Sequence, residues 1–81
     1  MSMNKMIQEI QEQLEEIVVT LRLEQLYEDE EPTYLLNKGT KAADVLLEST
    51  ESEREFILHK LAPDLEIEDV YETNHIILKL K

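Results

Sequence analysis

Two imidazoles, His59 and His75, four adjacent carboxylates, Glu28-Asp29-Glu30-Glu31, and three hydroxyls, Ser49, Thr50 and Ser52, are the side chains here whose types could do chemistry. A metal centre would need the two histidines to converge with carboxylates, since neither has a second His at helical spacing. The bland reading, a helix-surface His59 and a turn-flanking His75, fits better, and no metal is expected. The Glu28 to Glu31 run lacks the alternating ligands, central glycine and distal glutamate of a calcium loop, so it reads as a solvated loop or a contact patch for a basic partner. The hydroxyls have no Gly-x-Ser-x-Gly elbow and no base placed beside them, and capping accounts for them. With one glycine in the chain, a phosphate-cradling loop is also missing, and no cofactor is expected.

Carboxylates dominate the remainder. Nineteen Asp and Glu face eight Lys and Arg, a formal charge of −11 in 81 residues. Paired acids are always findable in such a chain, so their presence says nothing about acid-base catalysis. Excess acid repels nucleic-acid phosphates and anionic lipid, which excludes direct nucleic-acid binding and membrane association as expectations and favours a basic protein surface as partner. A helix-turn-helix over Tyr34 to Leu47, with Gly39 in the turn, meets the same objection: residues 41–81 hold ten acids and five bases, and the second helix offers only Lys41.

The elements that position these groups follow from the apolar spacing. Met3, Ile7, Ile10, Leu14, Ile17 and Leu21 recur at steps of four and three, with Gln and Glu between them, which predicts a long amphipathic helix to about Tyr27. The stripe either packs against the rest of the domain or, through Ile7, Ile10, Leu14, Ile17 and Leu21, forms the seam of a homodimer. The β-branched run Ile17-Val18-Val19-Thr20 gives a short strand near 17–23 as the competing pattern. Pro32 closes the acidic loop, and Thr33 to Lys38 is either one helical turn or a short strand over 33–36, ended by Gly39.

Thr40 is placed to cap a helix carrying Ala42, Ala43, Val45, Leu46 and Leu47. No apolar residue occurs from Glu48 to Glu55, a gap that a buried helix face could not cross. Within it, Thr50-Glu51-Ser52-Glu53 matches a capping box, so a third helix starts there, carries Phe56, Ile57, Leu58 and Leu61, and stops at Pro63. Leu65 to Glu72 and His75 to Lys81 then form a hairpin about a Thr73-Asn74 turn, with Tyr71 facing Ile76, Asp69 facing Leu78 and Ile67 facing Leu80. Asp69 is the misfit on the otherwise apolar face.

The expected fold is α+β, one domain over 1–81: a long N-terminal amphipathic helix, two shorter helices and a C-terminal β-hairpin. At this length folding removes only about 60–65 % of the unfolded chain's accessible surface, too little to enclose a substrate, so an enzyme is not expected. Without cysteines the chain suits a reducing cytoplasm. In size, charge and mixed helix-plus-hairpin layout it resembles, as a class and through no residue motif, the acidic DNA-mimic inhibitors encoded by phages. That resemblance implies an inhibitor presenting carboxylates to a basic groove. The candidates are Glu9, Glu12 and Glu16 on the first helix, Glu28, Asp29, Glu30 and Glu31 in the loop, and Glu48, Glu51 and Glu55 around the capping segment. A helix-mediated homodimer acting as a structural or assembly factor is the alternative.

Overall fold

A computed structural model describes residues 2–27, 31–71 and 74–81 of the chain. The elements run α1 (Ser2–Tyr27), β1 (Thr33–Asn37), α2 (Lys41–Glu48), α3 (Glu51–Leu61), β2 (Leu65–Tyr71) and β3 (His75–Leu80). The α+β class and the long first helix are as the sequence predicts. The added strand falls at 33–37, not at 17–23.

In α1, Ile10, Leu14, Ile17 and Leu21 are buried together, and the helix runs unbroken through the β-branched segment. A strand would put Val19, Leu21 and Leu23 on one face. A helix turns about 200° every two residues, so Leu21 enters the core while Val19 and Leu23 stay more than half exposed. Packing of Ile17 and Leu21 outweighs the modest strand preference of their neighbours. The seam foreseen for a homodimer is therefore consumed within one chain: of its five residues only Ile7 is exposed. At about 1.5 Å per residue the 26 residues of α1 span about 39 Å, which accounts for the longest dimension of the molecule, 41 Å.

Three strands form an antiparallel sheet in the order β1-β3-β2, so the last strand is central. Its inner face carries Ile76 between Leu36 and Val70, Leu78 between Tyr34 and Ile67, and Leu80 beside Leu65. With β1 a strand over Tyr34 to Asn37, the first helix of a helix-turn-helix is ruled out. Gly39, at φ +113°, turns the chain from β1 into α2, a backbone conformation that residues with a β-carbon rarely adopt.

The hairpin register differs from the expected one. Tyr71 pairs with His75, Val70 with Ile76 and Asp69 with Ile77, then Ile67 with Leu78, leaving Glu68 as the extra residue of a β-bulge. Between β2 and β3 the Asn74 amide donates to the Tyr71 carbonyl at 2.8 Å; Glu72 and Thr73 lie outside the described residues. The physical reason is parity. Ile67 and Val70 are three apart, so a regular strand would send them to opposite faces, and one bulged residue returns both to the core and turns Asp69 outward.

Each junction between helices is held by side-chain to backbone bonds. At the start of α2 the Ala42 amide donates to Gln13 Oε1 at 2.8 Å and the Ala43 amide to Thr40 Oγ1 at 3.2 Å, satisfying two N–H groups that have no partner within the helix. Arg54 of α3 donates from Nε to the Leu46 carbonyl at 2.7 Å, closing the end of α2. Phe56, which the third helix was expected to carry, is exposed, with the Lys60 ammonium 5.7 Å from its ring centre.

Leu14, fully buried at the centre of α1, tests the intramolecular role of the stripe. Leu14→Ala should lower unfolding free energy by about 2–5 kcal/mol in a urea titration, with no dependence of the midpoint on protein concentration. A midpoint that rises with concentration would instead place the stripe in an interface between copies.

Candidate functional site

None of the described residues with a polar or charged side chain is buried, so every described carboxylate is at the surface. The cations are not equally available. Arg22 Nη2 meets Asp64 at 2.6 Å and ties α1 to the α3-β2 turn, Lys79 reaches Glu66 at 3.5 Å, and Lys41 stands 3.9 Å from Glu9. Arg54 and Lys60 are held by the Leu46 carbonyl and the Phe56 ring. Exposed pairs of this kind contribute at most about 1 kcal/mol each, but they decide which charge faces solvent.

The candidate carboxylates fall into separate patches. Glu9, Glu12 and Glu16 share the side of α1 turned away from the core and stay exposed. They span about 10.5 Å along the helix axis at 1.5 Å per residue. Glu12, Glu15 and Glu16 border a shallow depression that continues to Val19 and Thr20. Glu31 is exposed just before buried Pro32, whereas Glu28, Asp29 and Glu30 lie outside the described residues. Glu48 ends α2, while Glu51 and Glu55 lie four apart on α3 and face β2.

The space between α3 and β2 is a groove of about 600 Å³. Glu51 and Glu55 form its helix wall. Glu66, Glu68 and Asp69 form its strand wall, and Leu58, Leu65, Ile67 and Val70 its floor. The three strand carboxylates were not among the candidates read from sequence. A signal was present in the charge of Leu65 to Glu72, but the bulge that aims Glu68 and Asp69 is not visible in a period-two pattern.

Two of the three hydroxyls, those of Ser49 and Thr50, sit at helix caps, and Ser52 stands exposed in the first turn of α3. Ser49 Oγ donates to the Val45 carbonyl at 2.7 Å. Thr50 Oγ1 accepts from the Glu53 amide at 3.2 Å while the Glu53 carboxylate accepts from the Thr50 amide at 2.8 Å, closing the capping box. His59 stands exposed at the groove, and His75 lies half-buried with its ring 4.5 Å from that of Tyr71, on another part of the surface. Among the described residues no three His, Asp or Glu are grouped as a metal ion would require, and no helix is long and apolar enough to cross a membrane.

No protein-family model, curated protein or solved structure matches this chain.

The capping box also shifts a titration. The Thr50 amide, and then the Thr50 hydroxyl, hold the Glu53 carboxyl below its ordinary value. A lowered folded-state value means a stabilising contribution that is complete above the ordinary glutamate range and is lost as pH falls through the lowered one. Glu53→Gln should therefore flatten the acid limb of stability against pH, followed by urea unfolding at stepped pH, and Thr50→Ala should cost about 1 kcal/mol at neutral pH.

Proposed function

We propose that this chain is a small acidic protein-binding module without catalytic activity, which occupies a basic surface of a partner. It acts as an inhibitor acts when its carboxylates take the place of nucleic-acid phosphates. The supporting observation is the asymmetry of its surface. Five of the eight cations, Arg22, Lys41, Arg54, Lys60 and Lys79, are engaged by local partners, whereas Glu15 and Glu16 on α1, beside Glu12, and Glu51 and Glu55 on α3 project from exposed helix faces. Such a surface attracts cationic proteins over about 8–10 Å at physiological salt and turns phosphate away. The depression on α1 beside Glu12, Glu15 and Glu16 is shallow, which suits contact with a macromolecule better than the sequestering of a small substrate.

Capture from native extract, with the tagged chain as bait at low and at high salt, tests this reading. The retained proteins should be basic, elute as salt rises, and be released by competing polyanion. A bait carrying Glu12→Lys and Glu16→Lys, or Glu51→Lys and Glu55→Lys, should bind the identified partner at least about tenfold more weakly, about 1.4 kcal/mol. A partner held equally by all baits at every salt concentration overturns the electrostatic reading.

A second reading, a helix-mediated homodimer with a structural or assembly role, has its own support once the foreseen seam is set aside. Val19, Leu23 and Leu26 follow one another on the outer side of α1, and Leu26 and Tyr27 are 79 % and 85 % exposed. Sedimentation equilibrium of the wild type and of Leu23→Asp separates the two: a dimer lost in the variant favours assembly, and a monomer throughout removes it.

A further inference from the structure

The groove between α3 and β2 has a property that the other acidic patches lack: one of its walls is a sheet edge. With strand order β1-β3-β2, β2 pairs with β3 alone among the described strands, and its other side is open only in part: the Leu65 amide donates to the Ala62 carbonyl at 3.0 Å and the Val70 amide to Asp69 Oδ1 at 2.8 Å, which leaves the backbone between them, around Ile67, for a further partner. The groove follows that side continuously from Leu65 to Val70. Opposite it, Glu51, Arg54, Glu55, Leu58 and His59 recur at the spacing of a single helix face. An open strand edge running beside a helix, over an apolar floor, is the arrangement that receives an extended peptide as an added strand.

Charge selects the occupant. Five carboxylates line the groove against two permanent cations, Arg54 and Lys81, and Arg54 Nε is already committed to the Leu46 carbonyl. A second copy of this chain adding its own β2 would set Glu66, Glu68 and Asp69 against their like. The same carboxylates are complementary to Lys and Arg.

Building on the proposed affinity for basic partners, we propose that the α3-β2 groove receives an extended basic segment of the partner protein. Alternate Lys or Arg side chains of that segment meet the carboxylates of the two walls, and the apolar residues between them cover Leu58, Leu65 and Ile67. Residues 65–70 span about 16 Å at about 3.3 Å per residue, which sets the occupant at about five residues.

Amide chemical shifts and hydrogen exchange of the labelled chain, titrated with a capped peptide of alternating Lys and Val, test the assignment. Shifts should concentrate in residues 51–59 and 65–70, and β2 amides that exchange freely in the isolated protein should become protected. A Glu-Val peptide should do neither, and the exposed double variant Glu55→Lys/Glu68→Lys, confirmed folded by circular dichroism, should bind the Lys-Val peptide at least tenfold more weakly. Shifts confined to the Glu9 to Glu16 side of α1 would overturn the groove assignment while leaving the affinity for basic partners standing. Shifts at the groove without protection of β2 would overturn strand addition. If neither the Lys-Val peptide nor oligolysine binds at low salt, the groove assignment and the basic-partner reading fall together.

Discussion

One apolar stripe of α1, packed across one face of a three-stranded sheet, is the constraint on which the other features of this molecule depend. Ile10, Leu14, Ile17 and Leu21 meet a layer built from Leu36, Leu46, Leu65, Ile76 and Leu78, and together these are nine of the thirteen buried apolar residues among those described. A domain of this size has material for one such layer and no more. Charge is costly to bury, so a chain with this many carboxylates folds only if the entire set can be left outside. The core is small and uncharged for the same reason that the exterior is strongly acidic.

That division makes the short connections carry unusual weight. Between β1 and α3 the backbone changes direction at Gly39 and again at Ser49-Thr50, and each change is held by side chains that arrive from elsewhere: Gln13 from α1, Thr40 and Thr50 at the caps, Arg54 from α3. These bonds set the angle at which α3 leaves α2 and thus the width of the space beside β2. Arg22 and Asp64 fix the other end of α3 to the long helix. Local polar bonds, not further apolar packing, give the acidic surface its shape.

The parts of this arrangement that depend on short-range chemistry were legible in the residues themselves. The capping box at Thr50 and Glu53, the cap at Thr40 and the 4-3 stripe of α1 each involve positions within four residues of one another. What was not legible depends on pairing across the chain. The five residues of β1 become a strand because β3 supplies the ladder, and Thr33 to Asn37 alone do not distinguish a strand from a helical turn. The register of the hairpin followed from the bulge, and the exposure of Phe56 is decided by its neighbours in space. Among the candidate carboxylates, Glu51 and Glu55 come together with partners on β2 that no spacing along the chain connects, while Glu9, Glu12 and Glu16 form a patch of their own.

The extra residue at Glu68 also bears on how this sequence can change. Upstream of it the inward positions of β2 are odd-numbered, Leu65 and Ile67, and at Val70 the parity becomes even. A deletion of one residue at this point would leave length and composition almost untouched. It would nonetheless either carry an acid inward and Val70 out to solvent, or force the hairpin connection to absorb the slip. Substitution at Glu68 is cheap and insertion or deletion beside it is not, so variation along this edge is free in chemistry and closed in length.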